Sequence, residues 1–146
     1  MVDGGKYPFY TCAETPFAIN EYAFDTEALL ISGNGANLGY INYYKGRFNA
    51  YQRTYVLEAF TENIHFVKCV LTVMLPKRIA IEKSTSNTPY IVMSTLADMK
   101  IFLPSKTYQN RIANLMCNLE IKLHQQTSIL LNYHCLKSYL LQQMFI

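Results

Sequence analysis

Residues Gly33 to Tyr55 read GNGANLGYINYYKGRFNAYQRTY. Three glycines and two asparagines in the first seven positions supply places where the backbone can take positive φ, which suits a tight turn or bulge. The apolar run Ala28 to Ser32 (ALLIS) stops at this turn and reads as a buried strand. A second strand is expected over Tyr40 to Tyr44, a further turn at Lys45-Gly46, and a third strand over Arg53 to Glu58. The stretch is therefore a hairpin with its neighbours, and it decides that this part of the chain is mainly β.

Working outward, Pro8 in YPFYT (Tyr7 to Thr11) imposes an extended path, and its aromatic neighbours favour a strand edge. From Asn63 the spacing of Phe66, Val70 and Val73 predicts a helix. Lys83 to Pro89 (KSTSNTP) reads as a polar loop, and Tyr90 to Met93 and Met99 to Leu103 as short strands before Pro104. Beyond Pro104 no glycine or proline occurs through Ile146, which predicts one long helix. Ile112, Met116, Leu119, Leu123, Gln126, Leu130, Tyr133, Lys137, Leu140 and Met144 follow the alternating four-three spacing of a coiled-coil seam. Such a helix reaches roughly 60 Å, more than the diameter of a domain of this size, so part of the seam needs another helix to cover it. The other reading is a helix broken once and folded against its own domain. The expected fold class is α+β: a mainly β domain with a small helix over residues 1–104, then a long coiled-coil-forming helix over residues 105–146.

The totals agree with a single globular unit. Of 146 residues, 51% are apolar and 16% charged, and no apolar run approaches the roughly 18 residues that span a bilayer. The N-terminal MVDGGKYPFYT lacks the features of a secretory signal, so the expected compartment is the cytoplasm and no membrane partner is expected. Cys12, Cys69, Cys117 and Cys135 form no CxxC pair and read as core thiols. The net charge is +3, but residues 1–40 carry one lysine against five acids while residues 41–111 carry ten bases against four. The positive charge sits with the tyrosines.

Catalytic patterns are missing. His65, His124 and His134 have no nucleophile with a base around them. GNGANLG has neither a GK[ST] ending nor a helix after it, so it is not read as a phosphate loop. Glu120-Ile121-Lys122 matches nuclease ExK spacing, yet it falls within the heptad run and reads as a solvated helix face. Thr88-Pro89-Tyr90 is not the NPPY-like element of amino-methylating enzymes. No enzyme activity, cofactor or metal is expected of this chain.

The basic and aromatic stretch combines cations able to pair with phosphate and side chains able to read base edges. Its candidates for DNA contact are Asn34, Asn37, Tyr44, Lys45, Arg47, Asn49, Gln52 and Arg53, joined by Ser84, Ser86 and Asn87 from the later polar loop. Tyrosine-rich hairpins are also ordinary strands with one face in a core, and turn-forming or exposed roles are the alternative for each residue.

YPFYT, FDTEALLISGNGANLGYINYYKGRFNAYQRTYVL, LPSKTYQNRIANLMCNLEIKL and the closing LKSYLLQQMF together resemble the specificity subunit of type I restriction-modification systems. The resemblance implies a target recognition domain that meets double-stranded DNA in the major groove, followed by a spacer helix. It implies that the helices of two halves pair antiparallel, that the helix engages a methyltransferase subunit supplying S-adenosylmethionine-dependent chemistry, and that a restriction subunit joins the complex. Carried over by position, Ile112, Met116, Leu119, Leu123, Leu130, Tyr133 and Leu140 form the helix interface, with Leu136 to Phe145 matching the closing segment. One recognition domain and one helix make the chain half a subunit, starting without the segment that normally precedes KYPFYT. A homodimer, or pairing with another specificity half-subunit, is the expected way to complete it. The alternative is a truncated subunit that acts only as a helix-mediated interaction module.

Overall fold

Four consecutive apolar residues, Ala28 to Ile31, leave no polar side for solvent, so a strand made from them must be covered on both faces. The computed structural model, which describes residues 2, 4–83 and 90–145, covers it on both. This strand, β3 (Phe24–Ser32), lies in a five-stranded sheet with β1 (Tyr7–Tyr10), β2 (Phe17–Ile19), β4 (Ile41–Ala50) and β5 (Thr54–Leu57). The order is β2-β1-β4-β3-β5, and every pairing is antiparallel except β1 with β4.

The connectivity forces this sheet to curl. The register pairs Phe48 with Phe24, while Thr54 pairs with Ser32 at the far end of β3. In a flat sheet those ends of β3 would be about 26 Å apart. Yet only Tyr51, Gln52 and Arg53 separate Ala50 from Thr54, a reach of at most about 14 Å. The strands therefore coil, and Tyr51 N–H and Thr54 Oγ1 both donate to Tyr10 O, at 2.8 and 3.4 Å, to draw β1 towards the start of β5. Inside the curl sit Tyr10, Ala28, Leu30 and Phe48, with Phe24, Tyr44, Ala50 and Val56 around them. Phe48 is completely buried and its ring meets those of Tyr10, Phe24 and Tyr44. Burying such a side chain stabilises the fold by about 2–3 kcal/mol.

The outer face of the sheet packs on α1 (Ile64–Lys83). Leu29 and Ile31 meet Ile64, Phe66, Val67, Leu71, Leu75 and Ile79 in the main core, which Ile91 and Ala113 complete. Asn63 caps α1 by accepting from Phe66 N–H at 3.0 Å. The covered face is broader and turned relative to the expected spacing: Phe66 is buried and Val70 half-buried, but Val73 is 60% exposed. The reason is that Leu71, Leu75 and Ile79 fix the helix face, and Val73 falls on the other side of it.

A short helix, α2 (Met93–Ala97), follows, and then α3 (Lys106–Met144), 39 residues or about 58 Å long. Within α3 only Gln109 and Ala113 are buried, and residues 118–144 are all exposed. The α+β class and the long closing helix are as the sequence led us to expect. Among the described residues, no helix is long and apolar enough to cross a membrane.

Several local expectations are corrected. No turn occurs at Lys45-Gly46, because β4 pairs with β3 on both sides of it and Gly46, at φ +128°, absorbs the bend within the strand. YPFYT is not an edge strand: β2, which the sequence did not suggest, occupies that edge. Tyr90 makes an isolated bridge to Asn34, the segment Met93–Ala97 is helical, and Met99 to Leu103 has no regular structure. Of the expected strand Tyr90 to Met93 only Met93 enters the helical turn, in which Thr95 is buried and donates to Glu82 Oε2 at 2.7 Å. The cysteines are free, but none is fully buried: Cys12, Cys69 and Cys117 are partly covered and Cys135 is exposed. With α3 extending past the globular core, positions on its outer surface have nothing to bury them. Ser84, Ser86 and Asn87 lie outside the described residues.

Candidate nucleic-acid interface

Three loops meet at one end of the curled sheet. Gly33 N–H donates to Arg53 O at 2.7 Å, and Ile91 N–H donates to Gly33 O at 2.8 Å, so the ends of β3, the β4–β5 connection and the segment after residue 90 share one glycine. A side chain at Gly33 would meet Arg53 O at 2.5 Å and the Tyr55 ring at 2.9 Å, which is why glycine stands there. Asn37 Nδ2 donates to Cys12 O at 3.0 Å and Cys12 Sγ to Arg53 O at 3.4 Å, which brings in the β1–β2 loop. The C-terminal part of α1 reaches the same end, where Ile79 abuts Gly39 in the β3–β4 loop.

Of the candidates for DNA contact, this end gathers Asn34, Asn37, Gln52 and Arg53. Gln52 and Arg53 are exposed, Asn34 holds the bridge to Tyr90, and Asn37 spends its amide on the Cys12 carbonyl. Lys45, Arg47 and Asn49 lie elsewhere, along β4, and Tyr44 points the opposite way into the interior aromatic cluster. Asn49 donates to Glu21 O at 3.3 Å and accepts from Ala50 N–H at 2.8 Å.

The β4 cations are not free. The antiparallel register sets Arg47 opposite Asp25 and Lys45 opposite Glu27, with Arg47 Nε to Asp25 Oδ2 at 2.9 Å and Lys45 Nζ to Glu27 Oε2 at 3.6 Å. Arg47 also stacks over Tyr22 at 4.9 Å, and the bond to Asp25 raises its already high pKa further. Thus two acids of the first forty residues and two of the bases that follow, well separated in sequence, face each other across two strands.

Cations pairing with no carboxylate among the described residues include Arg53, Lys77 and Lys100. Lys77 and Lys100 line a shallow cleft with Arg78 and Asp98 beside the C-terminal part of α1. Sequence reasoning passed over both lysines, since nothing local joins a helix residue to a loop residue more than twenty positions on; only their positive charge could have flagged them. Among the described residues, no cluster of histidine, cysteine, aspartate or glutamate is arranged to hold a metal ion.

The helix candidates are also placed. Gln109, Ala113, Cys117 and Glu120 face the domain, where Lys68 Nζ pairs with Glu120 Oε1 at 3.3 Å. That pairing makes Glu120 of the ExK triplet part of a helix contact. Ile112, Met116, Leu119, Leu123, Leu130, Tyr133 and Leu140 occupy a neighbouring stripe and are all exposed. His124 and His134 are exposed as well. Buried Gln109, which no sequence pattern singled out, fastens α3 to the domain: it accepts from Asn63 N–H at 3.1 Å and donates to Glu62 Oε2 at 2.6 Å and Pro104 O at 2.9 Å. Lys106 Nζ donates to Thr61 O beside it.

Comparison with known proteins gives a consistent answer. The chain is 43% identical over 109 residues to the type I restriction enzyme EcoDI specificity subunit of Escherichia coli, a match that covers 75% of this chain and 24% of that protein. The fold is similar to the crystal structure of a type I restriction-modification system S subunit from M. genitalium, with a TM-score of 0.66 and 23% identity over 83% of this chain and 33% of that one. The chain thus spans about a quarter and a third of the lengths of these two relatives. The model of the family described as type I restriction modification DNA specificity domain matches residues 2–133, and the chain belongs to that family.

Proposed function

We propose that this chain is the DNA-recognition half of a type I specificity subunit, non-catalytic itself, which directs a methyltransferase subunit, and through the assembled complex a restriction subunit, to a target site. The observation that carries the reading is the convergence of the β1–β2, β3–β4 and β4–β5 loops, with exposed Gln52 and Arg53, at one end of a domain of this family. Side chains on loops held by a rigid sheet are suited to meeting base edges and phosphates. Residues 1–104 form the recognition unit and residues 105–146 the helix that pairs and docks. The exposed stripe from Ile112 to Leu140 supports pairing with the helix of a second copy or of another specificity half-subunit. Two copies related by a two-fold would read an interrupted palindrome.

A second reading, a helix-mediated interaction module that no longer reads DNA, is favoured by one observation: Lys45 and Arg47 are already neutralised by Glu27 and Asp25. The two readings separate on co-expression with the methyltransferase subunit in a host lacking other adenine methylation, followed by mapping of methylated bases across the genome. Methylation confined to an interrupted palindrome is the expected result. Co-purification without any methylated motif would leave the module reading in its place.

A further inference from the structure

One cleft at the loop end is built from carbon rather than from polar groups. Phe9, Thr11, Cys12, Phe17, Asn34 and Tyr51 line a shallow space of about 530 Å³. Phe17 is 47% and Tyr51 51% exposed, so both rings offer apolar surface at the cleft. The floor is fixed by the bonds that join the loops: Tyr51 N–H to Tyr10 O at 2.8 Å, and Asn37 Nδ2 to Cys12 O at 3.0 Å. Asn34 and Thr11 belong to the lining, and exposed Gln52 and Arg53 follow Tyr51 in the chain.

We propose that this cleft reads thymine, taking up the C5-methyl group of a T in the major groove against Phe17 and Tyr51. The inference rests on the DNA-recognition reading above and names which chemical group that surface selects. A phosphate would find a floor made mainly of Phe9, Phe17 and Tyr51 with no cation in the lining, so the backbone is a poor occupant. A base edge suits the site better: the thymine methyl is the apolar group that the major groove presents, and Asn34 and Thr11 in the lining, with exposed Gln52 and Arg53 next along the chain, can meet the donors and acceptors of neighbouring bases. The cleft was invisible in the sequence because Phe17 belongs to a strand that no local pattern announced, and because Tyr51 looked like one more tyrosine in a rich run.

The test is a binding selection with the full chain, alone and co-purified with the methyltransferase subunit, from two random duplex pools that differ only in carrying thymine or uracil. The selected motif from the thymine pool should contain T at one or two positions that are no longer enriched as U. At those positions the affinity should fall about four-fold per methyl removed. Phe17→Ala and Tyr51→Ala should lose the T preference there and keep the rest of the motif. An identical motif of equal strength from both pools overturns the proposal, and that comparison uses the unaltered protein, so it does not depend on how the variants fold. Variants that fold and keep the T preference overturn it too. If the unaltered protein selects no motif from the thymine pool, the recognition reading fails first and the cleft proposal falls with it.

Discussion

Tyr43 donates its hydroxyl to Glu27 Oε1 at 2.6 Å, with Lys45 Nζ at 3.6 Å from the other carboxylate oxygen and the His65 ring 4.5 Å from the tyrosine ring. The hydrogen bond is the main reason that Glu27 titrates below its ordinary value and that Tyr43 is pushed up to about 12. The two shifts give opposite pH limits. Glu27 contributes stability that is present above its unfolded value of 4.5 and lost as pH falls through the lower folded value. Tyr43 contributes stability that is present below its unfolded value of 10.0 and lost as pH rises towards about 12. We expect Tyr43→Phe to lose about 1 kcal/mol near neutral pH, a modest figure because the carboxylate is partly in solvent. Urea unfolding checks it: the gap between wild type and variant should close as pH falls below 4.5, and a pH-independent gap would show that the bond is not its source. The tyrosine-rich stretch itself was legible, but this pairing was not, because it joins residues 16 positions apart that meet only through the β3–β4 register.

The helices and strands differ in how far the sequence announced them. The span of α3 was plain, since a breaker-free run carries its own periodicity, and the expected seam is left exposed by the domain. What the run could not reveal is which stripe the domain takes, a choice made by Gln109 and Ala113. The β4 strand was harder to see because lysine followed by glycine is ordinary turn chemistry, overridden here by eight consecutive pairings with β3. The segment after residue 90 was misread because its short apolar windows fit strand and helix alike. For α3 we expect Leu123→Glu with Leu130→Glu to abolish self-association in sedimentation velocity while far-UV circular dichroism stays unchanged. Concentration-independent sedimentation of the unaltered chain as a monomer would remove the homodimer and leave pairing with a different half-subunit.

Across the whole molecule, linear charge segregation proved a poor guide to the surface. The acids of β3 and the bases of β4 cancel locally, and Arg53, Lys77 and Lys100 are among the exposed cations that pair with no carboxylate of the described residues. Arg53→Ala should therefore lower the slope of log affinity against log salt by about 1 on the target duplex, whereas Arg47→Ala should leave it nearly unchanged. Fluorescence anisotropy over a salt series checks this, and the reverse ranking would place the interface on β4 instead. The fold was readable in outline from apolar runs and turns, but the site depended on the curl of the sheet, which only long-range pairing specifies.

The junction at Gly33 has a further consequence. Its N–H and carbonyl hold the residue 53 and residue 91 segments through main-chain atoms, and Tyr51 is tied to Tyr10 in the same manner. Main-chain bonds are indifferent to side-chain identity, so Gln52 and Arg53 can be exchanged without dismantling their support. This part of the molecule is thus mutationally permissive at its tips and intolerant at Gly33, so its exposed surface can change in single steps while the domain stays folded at each one.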